Sequence, residues 1–126
     1  MLRSNAELRR LFPVSEPLVL NRQRLEDIID NRMFVLLDYA GLSPGSTGVT
    51  VNRDMKITTL GTHNGRLYFR GFQVMGPSIS AGFLISQWRL FMLTRSLLIT
   101  WRGTYWNAIP PGYVGTDQLL TNLYNL

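Results

Sequence analysis

A single dipeptide, Asn64-Gly65, constrains the fold of this chain more than any other feature. It suits a type I′ turn, in which both central residues adopt positive φ and which joins two antiparallel strands. The residues on both sides are rich in β-branched and aromatic side chains, as strands are. The dipeptide therefore predicts a β-hairpin. On one side of its sheet the expected pairs are Leu60–Phe69 and Thr62–Leu67.

Two further segments have the composition of strands. Residues 33–39 form a short apolar run, and residues 97–106 alternate between apolar and polar side chains. The alternation places Leu97, Ile99, Trp101 and Tyr105 on one side, with Arg102 and Trp106 on the other. Since aromatic residues occur on both sides, we expect one side to be covered either by a second subunit or by the chain's own core.

Segment 83–93 fits two structures. As a helix it would place Leu84, Ile85, Trp88, Phe91 and Met92 on one face, whereas as a strand its apolar residues alternate with Gln87 and Arg89. We favour the strand, because the break at residues 94–96 would then form a hairpin with the strand that follows.

The first 32 residues carry helix signals and differ from the rest of the chain. Ser4 and Glu7 have the spacing of a capping box, in which each side chain accepts a hydrogen bond from a backbone N–H at the start of a helix. Pro13 ends that helix, because the residue before a proline avoids helical angles. Asn21 can cap a second helix that runs to about residue 31. Helices this short are unstable alone, so they must dock on their own domain or on a neighbour.

These segments together predict a mainly β protein: a small five- to seven-stranded antiparallel barrel or sandwich with short N-terminal helices and extended terminal arms. The predicted organisation is an N-terminal arm with two short helices (residues 1–32), a β domain (33–106) and a C-terminal arm (107–126). From Thr116 onward the C-terminal arm fits either a short helix or an extended segment.

The chain lacks the residues that most catalytic and metal sites use. Because it has no cysteine and a single histidine, disulfides, cysteine nucleophiles and structural zinc sites are excluded. His63 lies beside the predicted turn, a poor place for a catalytic cleft. The acidic residues are expected to be structural, with Glu26, Asp27 and Asp30 on a solvated helix face and Asp38 paired with an arginine. We therefore predict no enzymatic activity, no catalytic residue, no cofactor, no metal and no small-molecule substrate.

The apolar segments do not predict insertion into a membrane. The most apolar region, residues 83–101, contains Arg89 and Arg95, which would be costly in a bilayer, so we expect no membrane span. The first twelve residues alternate charged and apolar side chains, unlike a secretory signal. Beyond that, the sequence does not predict a location.

The positive charge is carried almost entirely by arginine, with twelve arginines against a single lysine and a formal net charge of +5. Arginine forms fixed, forked contacts and is enriched at protein interfaces and at phosphate groups. Tryptophan, tyrosine and arginine also dominate binding hot spots. The candidate interaction residues are Leu8, Leu11, Phe12, Arg66, Arg70, Trp101, Arg102, Trp106 and Tyr113.

Two functions fit these features. The first is a non-enzymatic structural or assembly subunit of a large complex, such as a head, neck, tail or decoration component of a virion, that associates with itself or with other structural subunits. The alternative is a nucleic-acid-binding small β-barrel, OB- or Sm-like, that presents Arg66, Tyr68, Arg70 and Phe72 to a single strand. Added salt weakens phosphate binding steeply and an apolar interface much less, so salt dependence separates the two.

Overall fold

The computed structural model describes residues 1–40, 50–77, 84–94, 96–115 and 119–126. These contain two helices and seven strands, and the strands form one antiparallel sheet that is not closed, which confirms the prediction of a mainly β fold. In chain order the elements are α1 (Asn5–Leu11), β1 (Leu18–Val19), α2 (Arg22–Asp30), β2 (Met33–Ala40), β3 (Thr50–His63), β4 (Arg66–Pro77), β5 (Leu84–Met92), β6 (Leu98–Tyr105) and β7 (Thr121–Asn125).

The Asn64-Gly65 turn joins β3 to β4 as the sequence predicts. Both residues have positive φ, 51° for Asn64 and 74° for Gly65, which are the angles that a type I′ turn requires. The predicted register is confirmed, because Leu60 faces Phe69 and Thr62 faces Leu67. Leu60 and Phe69 are fully buried, so this side of the hairpin faces the core.

The strand interpretation of segment 83–93 is confirmed for the residues that form β5. The hairpin expected between β5 and the next strand is wrong, however. Among the described residues, β5 pairs with β4 alone, while β6 pairs with β2 and with the short β1. The resulting order across the sheet is β1-β6-β2-β3-β4-β5, with β5 and β6 on opposite sides of the central strands.

The short link between β5 and β6 requires the sheet to be strongly curled. Through the strand pairs, Met92 lies level with Gly61 of β3, and Leu98 lies level with Asn52. In a flat sheet, the nine-residue offset along β3 between these two levels would separate Met92 from Leu98 by about 30 Å along the strand direction. The extended chain from Met92 to Leu98 reaches only about 20 Å. The two outer parts of the sheet must therefore bend towards each other, as in an open barrel.

The helices form a layer on one face of the sheet. α1 begins with the predicted capping box of Ser4 and Glu7, and the side chain of Asn21 caps α2. Their apolar residues join the buried side chains of the sheet in a single core. The helices contribute Leu8, Leu25, Ile28 and Ile29 to this core. Phe12, which follows α1, and Leu20, which follows β1, also belong to it.

Parts of both segments predicted as terminal arms pack against the β domain. Leu8 and Phe12 are core residues, so a chain shortened to begin at Asn21 would lose part of its core. At the other end, β7 pairs with β3, so the helical alternative for residues 121–125 is wrong and the extended one is correct. Thr116, the expected helix cap, lies outside the described residues.

β7 and β2 share one edge of the long strand β3. β2 pairs with residues 50–55 of β3, and β7 pairs with residues 59–62. A Cβ added at Gly61 would lie 2.8 Å from the Leu120 side chain, so glycine is needed for β7 to approach this closely. No helix in the described parts of the chain is long and apolar enough to cross a membrane.

Candidate interaction surfaces

Four of the nine predicted interaction residues are buried in the chain's own interior. Leu8, Phe12 and Trp101 are each 1% exposed, and Trp106 is 4% exposed. The expectation that they contact a partner is therefore corrected, because their surfaces are already covered by the helices, the sheet and neighbouring side chains. Leu11, beside Phe12, is 40% exposed and keeps an accessible apolar surface.

Gly103 introduces a bulge into β6. Its φ of 88° interrupts the regular strand, and the register against β2 shifts at the same level. Trp101 stays in the core, where its indole N–H donates to the carbonyl of Thr104 at 2.7 Å. Tyr105 stays on the predicted side, with its ring centre 5.4 Å from that of Trp101 and its hydroxyl donating to the Asn5 side chain, although it is 43% exposed. Regular alternation cannot predict such a bulge.

Trp106 lies between two cations. The guanidinium of Arg32 lies 5.3 Å from the centre of the indole ring, and the ammonium of Lys56 lies 5.8 Å from it. Arg32 also donates to the carbonyl of Asn107 at 3.1 Å. The indole N–H of Trp106 is buried and has no acceptor among the described residues. The ring is thus held by packing and by cation–π contacts rather than by a hydrogen bond.

Arginine side chains make many of the fixed contacts that tie the helices to the sheet. Arg9 lies 5.8 Å from the ring centre of Trp101, and Arg24 donates to the carbonyl of Val19 at 2.6 Å. These contacts need a planar, weakly hydrated cation. They offer an explanation, internal to the chain, for part of its excess of arginine over lysine.

Asp27 was expected on a solvated helix face and is instead buried. Only 3% exposed, it accepts a hydrogen bond of 2.9 Å from Nε of Arg3. That hydrogen bond is the main reason that the pKa of the Arg3 guanidinium is raised above its ordinary value, so Arg3 keeps its charge. Asp30, nearby on α2, accepts hydrogen bonds from the hydroxyl of Tyr124 and from the N-terminal amine. These acidic residues therefore anchor the N-terminal segment and β7.

The remaining predicted residues are spread over several elements. Arg66 is exposed at the start of β4, where it contacts the Met92 sulfur at 3.7 Å, and Arg70 is half-buried with contacts of its own. Arg102 is exposed on β6. Tyr113 stacks on Trp88 with ring centres 6.4 Å apart. The structure does not gather these four residues into one site.

The face of the sheet opposite the helices, which we call the open face, carries a line of cations and aromatic rings. Val35 pairs with both Met55 and Trp101, which places Phe34 between Lys56 of β3 and Arg102 of β6. Lys56 in turn faces Phe72, and Phe72 faces Trp88. We call this line the basic-aromatic row. Its members, in order across the sheet, are Arg102, Phe34, Lys56, Phe72 and Trp88.

A groove of about 260 Å³ lies at one end of the row. It is lined by Phe34, Leu36, Asp54, Arg102 and Thr104. At the other end, the segment of residues 107–115 crosses the open face: the carbonyl of Pro111 accepts a hydrogen bond of 2.8 Å from the Trp88 indole, on which Tyr113 also stacks. The row is therefore partly covered at Trp88 and at Lys56, whose ammonium lies against the buried Trp106 ring, and it is accessible at Arg102. Sequence alternation alone could have found Phe72 on β4, but not its neighbours on other strands.

The net charge is distributed unevenly along the chain. Residues 1–30 contain five arginines and five acidic residues, so their formal charge is zero. Residues 31–126 contain eight of the thirteen cations and three of the eight acidic residues, which accounts for the whole net charge of +5. The helical end of the chain is thus neutral, and the part that forms most of the sheet is basic.

The two outer strands of the sheet differ strongly. β1 consists of only Leu18 and Val19, which makes it a short and poor template for pairing. β5 has nine residues, LISQWRLFM, and among the described residues no strand pairs with its outer edge. Natural proteins usually protect a long edge with lysine, proline or a cover. β5 has neither lysine nor proline, and Arg89 is its single charged residue.

The candidate catalytic and metal-binding residues lie on separate elements of the described structure: His63 on β3, Asp38 on β2 and the other acidic residues considered on α2. His63 is exposed at the hairpin tip, where its ring contacts Tyr68 at a distance of 5.9 Å between ring centres. Within the described ranges, no three His, Asp or Glu residues are placed to hold a metal ion. The Asp38 carboxylate has one buried oxygen without a hydrogen-bond partner, and among the described residues the predicted pair with an arginine is not seen. Comparison of the chain with protein families, curated proteins and solved structures gives no match.

Proposed function

We propose that this protein is a non-enzymatic assembly subunit that associates through the outer edge of β5. The observation that carries the proposal is the length and composition of this edge: nine residues with one charge and no described strand beside it. Alternate backbone N–H and C=O groups of an edge strand point away from the sheet and can pair with another strand. The edge therefore suits addition of a strand from another subunit.

The described residues 107–115 of the C-terminal segment do not pair with the backbone of this edge. Residues 107–115 contact the side chain of Trp88, through Pro111 and Tyr113, but among the described residues they form no backbone hydrogen bond with β5. The side chains of Leu90 and Met92 are half-buried and lie beside the outer edge. A strand added here would cover apolar surface as well as satisfy backbone groups, and both terms favour association.

The test is a measurement of molecular mass in solution for the parent and for Leu90→Lys. A lysine on an edge strand opposes strand addition, because the incoming strand would have to bury its charge. We expect the parent to form oligomers at both low and high salt, and Leu90→Lys to shift the mass towards that of the monomer. Circular dichroism and the thermal midpoint establish that the variant remains folded.

The matched control is Leu11→Lys, the same chemical change on the exposed side of α1. It should assemble like the parent, because it lies on the helical layer and not on β5. A parent that stays monomeric at about 100 µM, or a folded Leu90→Lys variant with the parental mass, would contradict the proposal. The virion setting expected from the sequence stays a prediction.

A further inference from the structure

We infer that the open face of the sheet binds a single-stranded nucleic acid along the basic-aromatic row, with the groove beside Arg102 as the point of entry. This inference is independent of association through β5, because it concerns a face of the sheet and not its edge. Three observations support it: where the charge lies, how cations alternate with rings, and which part of the row is accessible.

The charge distribution favours an anionic ligand on this part of the molecule. All of the net charge of +5 arises from residues 31–126, which supply the sheet, whereas the helices on the other face are neutral overall. Arg102 is exposed, and no fixed contact ties it to another described residue. Arg66, also exposed, lies at the hairpin end of the sheet. A polyanion would therefore meet exposed cations on the sheet side of the molecule.

The alternation of cations and rings favours nucleic acid over an acidic protein segment. In the row, Phe34 lies between Arg102 and Lys56, and Phe72 follows Lys56. Phosphates need cations, and unpaired bases stack on aromatic rings, so a single strand uses both kinds of side chain, whereas an acidic peptide uses mainly the cations. Phe34 and Phe72 are half-buried, which leaves part of each ring for contact.

One acidic residue opposes the ligand and provides a diagnostic variant. Asp54 lines the same groove as Arg102 and Phe34, and its carboxylate would repel a phosphate there. If a phosphate occupies the groove, Asp54→Asn should tighten binding. A merely structural role for Asp54 predicts no such gain.

The test is fluorescence anisotropy of a labelled 20-nucleotide oligo(dT), titrated with the parent at salt concentrations from 50 to 200 mM. Each neutralised phosphate contributes about −0.7 to the slope of log K against log salt for a single strand. With Arg102 neutralising one phosphate, while the Lys56 ammonium lies against the Trp106 ring, we expect a slope of about −0.7. Arg102→Glu should weaken binding at least tenfold at 50 mM salt, and Arg102→Lys should stay within about threefold of the parent.

The matched control is Arg10→Glu, an equal change of charge at an exposed position on α1. It should weaken binding no more than about threefold, because it alters only the net charge. Equal losses for Arg10→Glu and Arg102→Glu would overturn the inference, since they would indicate attraction to overall charge. So would the absence of binding at 50 mM salt, or equally tight binding of poly-glutamate, which would indicate an acidic protein partner.

Failure of this inference can be told apart from failure of the proposed function. A folded Leu90→Lys variant should bind oligo(dT) at least as tightly as the parent, because the substitution removes no member of the row and adds a cation two residues from Trp88. Loss of binding in that variant while it is monomeric would contradict a site formed by one chain.

Discussion

Replacement of Phe12 by alanine tests whether the N-terminal helix belongs to the core. Phe12 follows α1, is 1% exposed, and packs with the helices and the sheet in one cluster. Its backbone N–H donates to the carbonyl of Leu8 at 2.7 Å, and this bond does not depend on the side chain. The substitution therefore removes the ring and leaves the local backbone contact in place.

The expected loss is large for a protein of this size. Truncation of a buried phenylalanine costs about 3–5 kcal/mol, as lost transfer energy plus the energy of the cavity left behind. A domain of this kind has a total stability of about 5–15 kcal/mol. At roughly 4 °C per kcal/mol for a chain of intermediate length, the thermal midpoint should fall by about 12–20 °C.

Leu11→Ala is the control, since it changes the adjacent side chain, which is 40% exposed. An exposed helical leucine can be shortened at a cost of about 0.5 kcal/mol or less. Urea unfolding, followed by tryptophan fluorescence and by circular dichroism, gives the free energy of unfolding of both variants. If Phe12→Ala costs less than about 1 kcal/mol, or no more than Leu11→Ala, the docking of α1 described above is refuted.

Four further substitutions test the turn and the tryptophans by the same unfolding measurement. Gly65→Val should lower the free energy of unfolding by about 1–2 kcal/mol, because a residue with a β-branched side chain resists positive φ. Gly65→Asn should lower it less. Equal stability of the parent and these two variants would contradict the turn. Trp101→Phe should cost about 1 kcal/mol more than Trp106→Phe, because the Trp101 indole donates a hydrogen bond whereas the Trp106 indole has no acceptor among the described residues. A larger loss for Trp106→Phe would contradict this difference between the two indoles.

Local signals in the sequence predicted local structure well. The Asn64-Gly65 turn, the capping box at Ser4 and the cap at Asn21 depend on residues a few positions apart, and the structure has all three. The strand at β5 was also predicted correctly, although its partner was not. Pairing of β6 with β2 depends on contacts between distant residues, and a pattern within one segment does not encode them.

The candidate surfaces could not be predicted from the sequence, because they depend on how distant segments pack together. Alternation shows that a strand has two faces, but not which face the helices cover, so Leu8, Phe12 and Trp101 were misassigned to a partner. The buried position of Asp27 depends on Arg3, which reaches it from another part of the chain. The basic-aromatic row joins residues of five strands and becomes visible only once the order of the strands is known.

The shared edge of β3 has a consequence for the order in which the nascent chain folds. The β3–β4 hairpin can close within about 1–10 µs of its synthesis. β7 pairs with the other edge of β3 and is synthesised later. At a synthesis rate of about 5–20 residues per second, it follows the hairpin by several seconds. During that interval residues 59–62 of β3 lack their final neighbour and can accept a strand from another nascent chain. Ribosomes that follow one another on a message would then favour exchange of β7 between copies.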